Sequence, residues 1–129
     1  MNWVTAHIQW IMRISGALTC TMFCAAIAPQ AALQWTFGEA IDGPLAEIIV
    51  RNWGALVGLI GAMLLHGADR PAVRPLVLVV AGLSKLVFAG LVVALGAPYL
   101  GQAGPAIGVD LVMVALYVCH LAGRSSLRA

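Results

Sequence analysis

Four apolar stretches, residues 10–28, 45–65, 76–95 and 105–123, dominate the chain. Each is about the 20 residues that a helix needs to cross the hydrocarbon layer of a bilayer, and together they leave no room for a soluble domain within 129 residues. Only 9% of the residues are charged, where a soluble domain carries roughly a quarter. The other spanning architecture, a β-barrel, needs strands that alternate apolar and polar side chains, and Leu76-Val77-Leu78-Val79-Val80 does not alternate. The fold class is therefore an all-α membrane protein. A single four-transmembrane-helix bundle is expected over 1–129, with helices at about 5–28, 45–66, 75–97 and 105–123. The lipid bilayer is its first partner. A net charge of +2 spread over loops and helices forms no basic stripe and excludes nucleic acid as a partner.

The first stretch imitates a secretory signal, with Arg13, an apolar run and Ala26-Ile27-Ala28 as a cleavage motif. Pro29 directly after the cut opposes processing, so this stretch is read as a membrane helix. Orientation follows the Lys/Arg bias of short loops. Arg70 and Arg74 lie between the second and third helices, Arg124 and Arg128 follow the fourth, and the other two loops hold neither Lys nor Arg. Both termini are expected in the cytoplasm of a bacterium, with the chain in its inner membrane. The loop 29–44 carries Glu39, Asp42, Trp35 and Phe37, which suits an outer surface with aromatics near the headgroups.

Gly54, Gly58 and Gly61 recur at spacings of four and three, so they share one face of the second helix. Because lipid tails are as apolar as leucine, helices in a bilayer associate through close packing, and small residues set how near they come. This face is expected to pack against neighbouring helices of the same chain; a homodimer seam is the alternative. Gly82 and Gly90 repeat the device more loosely on the third helix, and Gly16 with Ala17 on the first.

Five ionisable residues fall at membrane depth: Arg13, Glu47, Arg51, Lys85 and Asp110. A charge at the centre of a helix costs at least about 2.5 kcal/mol there, so each should face the interior and find a partner. At about 1.5 Å per residue, Arg51 and Asp110 lie roughly 9 and 8 Å below the outer starts of their helices, close enough in depth to meet. Glu47, four residues before Arg51, completes an expected clasp, either structural or ligand-binding. Lys85 sits near the middle of the third helix. It bends toward Asp110, bonds backbone carbonyls or Ser84, or faces a wet cavity. Arg13 falls at comparable depth if the first helix begins near Trp3, and two cations at one level point to an anionic or polar headgroup between them; the alternative is that Arg13 snorkels inward.

His7, His66 and His120 fall toward one end of the bundle, where two of them on facing helices are able to ligate a haem or metal. No Glu-x-x-His pattern accompanies them, and no metal site is read. Cys20 and Cys24 are four apart, not the Cys-x-x-Cys redox spacing, and with Cys119 they read as small apolar fillers. There is no phosphate loop, nucleophile elbow or His-Glu-x-x-His helix, so no catalytic residue is assigned and the chain reads as a binding protein rather than an enzyme.

Arg51-Asn52-Trp53-Gly54 opening the second helix, the later glycines and the short basic turn at 67–75 resemble the small four-helix bacterial inner-membrane proteins of the DoxX-like type. The resemblance covers about 47–95. It implies a family mostly of unknown function, a few members of which are similar to subunits of membrane oxidoreductases that pass electrons to quinone. Small multidrug exporters depend on a carboxylate in the first helix, where this chain has Arg13, and the Asn and Phe pattern of fluoride channels is missing. The leading function is binding or carriage of an amphipathic or lipid-like small molecule in the bundle interior, its head meeting Arg51, Lys85 and Asp110. The alternatives are an accessory subunit of a larger membrane complex or homo-oligomer, and a quinone- or haem-linked oxidoreductase component.

Overall fold

The computed structural model describes residues 2–128, with side-chain surroundings for 3–124; the side chain of Arg128 lies outside the described residues. Among the described residues there are only helices. They are α1 (Asn2–Ala6), α2 (Ile8–Cys20), α3 (Phe23–Ile27), α4 (Pro29–Phe37), α5 (Pro44–Ala68), α6 (Arg74–Leu95), a short 3-10 turn (Ala97–Tyr99) and α7 (Leu100–Arg128). Four spans, Ile8–Ile27, Pro44–Ala68, Arg74–Leu95 and Ala97–Arg124, are long and apolar enough to cross a membrane, and the chain is a membrane protein of the four-helix class. Their outward faces carry large apolar side chains such as Leu59, Leu83, Leu91, Val93 and Val112, which suits contact with lipid.

The first span departs from the expected continuous helix. Between α2 and α3 the backbone tightens to bonds spanning three residues: Thr21 donates to Leu18, Met22 to Thr19, Cys24 to Thr21 and Ala25 to Met22. No glycine or proline marks the place. Two threonines do, because Thr19 Oγ1 donates to the Ser15 carbonyl and Thr21 Oγ1 to the Leu18 carbonyl, and such back-bonding bends helices.

The stretch 29–44, read as a loop, is partly helical. Pro29 takes the first position of α4, where its missing N–H costs nothing, and Gly38 ends the helix in the left-handed region at φ 78°. Phe37, at the end of α4, packs against the rings of Trp53, Phe88 and Tyr99 with centroids 6.2, 6.2 and 5.8 Å away. It thereby closes one end of the bundle, called here the loop end. The opposite, basic end holds the turn between α5 and α6, where Arg74 donates to the carbonyls of Gly67 and Ala68 and so completes the last turn of α5.

α2 and α3 pack chiefly on α5, α5 on α6, and α6 on α7; of the neighbouring pairs around the bundle, α2 and α7 meet least. The glycine face accounts for the first of these contacts. A methyl group on Gly61 would stand 2.5 Å from the Cys20 nitrogen and 2.8 Å from the Gly16 carbonyl oxygen, and one on Gly54 would stand 2.6 Å from Ala25 Cβ. Gly58 lies equally close to the ring of Phe23. The three glycines therefore pack within the chain and cradle the break between α2 and α3. The interior of the basic half is filled by Ile8, Met12, Leu64, Leu78, Ala81 and Tyr117.

Candidate functional site

The five ionisable residues do not converge. With Asp69 as a sixth partner they form three separate pairs at three levels of the bundle. At the loop end, Arg51 donates through Nε and Nη2 to Glu47 Oε1 at 3.0 and 2.6 Å, as the spacing of four predicts. Its third nitrogen, Nη1, reaches the carbonyls of Ala26 and Ile27 at the end of α3. The expected contact with Asp110 is not made: Arg51 ties α5 to α3, not to α7. At the basic end, Arg13 pairs with Asp69 and lies over the Trp10 ring, 5.1 Å from its centroid. Arg13 is therefore not level with Lys85, and the reading of two cations around one headgroup falls. Both outer pairs are exposed, with side chains 39% to 61% accessible, and each contributes about 1 kcal/mol or less.

The third pair is interior. Lys85 Nζ on α6 donates to Asp110 Oδ1 on α7 at 2.8 Å and to Thr19 Oγ1 on α2 at 3.2 Å. The lysine side chain is 9% exposed and the aspartate 23%. Of the destinations open to Lys85 in the sequence, the structure selects the carboxylate and adds a hydroxyl. The cluster continues toward the basic end. Thr19 donates to the Ser15 carbonyl, and the Tyr117 hydroxyl donates to Ser15 Oγ at 2.6 Å. Ser15, Thr19 and Tyr117 were missed as site residues. A trace was present, since Ser15 and Thr19 share the stripe of Ile8 and Met12 on an otherwise apolar helix.

Where α2 and α7 meet least, an open groove of about 660 Å³ runs along the outside of the bundle. Its walls are Ile11, Ile14 and Leu18 on α2 and Pro105, Gly108 and Val112 on α7. Ser15 also lines it and joins it to the interior cluster. A methyl group on Gly108 would meet nothing within 4 Å.

The three histidines differ in their surroundings. His7 stacks on Trp3 and shares a 2.8 Å hydrogen bond with its carbonyl, His66 is exposed, and His120 is buried with Nδ1 unpartnered. Among the described residues no three His, Cys, Asp or Glu side chains gather as a metal site would require. Cys24 and Cys119 face outward rather than filling the core, and Cys20 is half-buried. No protein-family model matches the chain, and no curated protein or solved structure does so either.

Proposed function

We propose that this is a bacterial inner-membrane protein of the DoxX-like type that binds an amphipathic or lipid-like molecule in the groove between α2 and α7. The observation that carries this reading is the groove itself, apolar along both walls and touching the Lys85–Asp110 cluster through Ser15. The interior of the basic half is filled by packed side chains, so this reading takes the seam rather than the bundle interior. A hydrocarbon tail fits walls of Ile, Leu and Val, and a polar head is better placed near Ser15 than against lipid.

Filling the groove tests the reading. A Cβ on Gly108 meets nothing within 4 Å and Gly108 lines the groove, so Gly108→Phe should fold normally and lose bound small molecule several-fold by native mass spectrometry from mild detergent. Equal loading of variant and wild type rejects the groove as the site.

A second reading, an accessory subunit docking a larger membrane complex, is favoured by α7. Gly101, Gly104 and Gly108 all have open space where a side chain would be, and small residues on an open face admit another helix closely. A stoichiometric partner in the same spectrum would favour it.

The proposed orientation places both termini in the cytoplasm, from Arg70, Arg74 and Arg124 at the basic end. An alkaline phosphatase fused to the C-terminus is expected to be inactive and a fluorescent protein there to be bright; the reverse pattern inverts the topology.

A further inference from the structure

A second groove, of about 620 Å³, runs between α5 and α6 and shares no residue with the first. Leu59 and Ala62 on α5 and Leu76 and Val77 on α6 form its walls, and His66 and Val73 line it at the basic end, where the two helices join. Leu59 lies seven residues before His66, roughly 10 Å deeper along the helix. Lipid tails are as apolar as these walls, so the walls alone select nothing. The polar groups at the shallow end do. His66 and Arg70 are four residues apart and both exposed, and among the described residues no carboxylate pairs with either. Arg74 caps the carbonyls of Gly67 and Ala68 that end α5, which offsets the negative end of that helix's dipole. α6 starts beside them without a side-chain cap, so its positive end stands uncompensated near Val73 and Leu76. The neighbouring carboxylate, Asp69, is engaged by Arg13.

We propose that the groove between α5 and α6 seats an acyl chain of an anionic phospholipid, whose phosphate is held at its shallow end by His66, Arg70 and the first turn of α6. The groove supplies the shape for the chain and the basic end supplies the selection. A guanidinium matches two phosphate oxygens at once, and an imidazole adds an N–H donor. With Asp69 engaged elsewhere, nothing at this end holds the ammonium of a zwitterionic headgroup, so the site prefers a lipid of net negative charge. Basic residues at the ends of membrane helices attract such lipids; here a groove leading away from them fixes one lipid in place. The site is independent of what fills the groove between α2 and α7.

Competition between two lipids tests it. The purified protein in mild detergent is given phosphatidylglycerol and phosphatidylcholine of the same acyl chains in equal amounts, and bound lipid is read by native mass spectrometry. The first lipid retained should be phosphatidylglycerol at least about threefold more often. Arg70→Gln, at an exposed turn residue, should remove the preference, and Ala62→Phe, which fills the groove from its exposed wall, should lower retention of both lipids. Gly108→Phe, in the other groove, should leave the preference intact. Equal retention of the two lipids by the wild type overturns the proposal, as does an unchanged preference in Arg70→Gln. A preference lost in Gly108→Phe and kept in Ala62→Phe assigns the lipid to the other groove and overturns it too. Displacement of the lipid by glycerol phosphate makes free phosphate the ligand, and a dimer that Ala62→Phe dissociates, without lipid preference, makes a second copy of the chain the occupant; either result rejects the lipid site.

Discussion

Gly61→Ala is expected to be the most damaging single-methyl change in the chain. The new Cβ would stand 2.5 Å from a backbone nitrogen and 2.8 Å from a backbone oxygen, and neither can swing aside as a side chain would. Overpacking typically costs about 1–3 kcal/mol; with backbone on both sides the cost should reach about 3 kcal/mol or more, because α2 must separate from α5. Gly90→Ala and Gly101→Ala meet nothing within 4 Å and should leave stability unchanged or raise it by up to about 1 kcal/mol, since alanine is the better helix former. Unfolding titrations in detergent on the three variants check this. A Gly61→Ala protein as stable as the wild type would mean that the two helices do not approach this closely.

Asp110→Asn is the second large effect. It leaves the Lys85 ammonium beside a neutral amide in the bundle interior. Breaking a buried pair by removing one partner costs about 3–5 kcal/mol, and the partial exposure of Asp110 places this case near 3. The single change Lys85→Met strands the carboxylate instead and should also destabilise. Lys85→Met combined with Asp110→Leu removes both charges and is expected to recover most of the loss, since apolar replacement of a whole buried pair is often neutral or stabilising. Thermal denaturation of the two single variants and the double one provides the cycle. Additive losses would show that the pair does not act as a unit. Asp69→Asn, at the exposed pair with Arg13, serves as the control and should cost less than about 1 kcal/mol.

The four spans were legible in the sequence because hydrophobic length is a coarse property that packing does not overrule. Of the pairings, Glu47–Arg51 was legible from its spacing of four and Lys85–Asp110 stood among the alternatives, whereas Arg51–Asp110 was wrong, and a single residue explains most of that error. Pro105 was read as the edge of the fourth helix, whereas α7 begins at Leu100 and carries the proline inside it. At about 1.5 Å per residue, those five residues move Asp110 from roughly 8 to roughly 15 Å inside its helix. Lys85 lies ten residues before the end of α6 at Leu95, again about 15 Å, so the two meet and Arg51 is left at a shallower level. Arg13 was displaced in the same way, by counting from Trp3 across the interruption at His7 between α1 and α2. The break at Thr21–Met22 carries no glycine or proline that would mark it in the sequence. Its cause is a pair of threonines bonding back to their own helix. The partner of the glycine face was foreseen correctly, since Gly54, Gly58 and Gly61 do meet the chain's own first span.

The broken first span also bears on the order in which the molecule is made. Its mean hydropathy, 1.5, is the lowest of the four spans, against 2.5 for α6, yet of these four the ribosome delivers it earliest. At that moment its polar stripe has only carbonyls of its own helix as partners. Thr19 waits for Lys85, 66 residues downstream, and Ser15 waits for Tyr117, 102 residues downstream. A nascent chain that stops before α7 therefore holds a lysine without its carboxylate and a serine without its tyrosine, both among lipid tails. Contacts so distant in sequence must be closed against chain entropy before they contribute. Assembly of the bundle thus depends on the last of these four spans to complete the first.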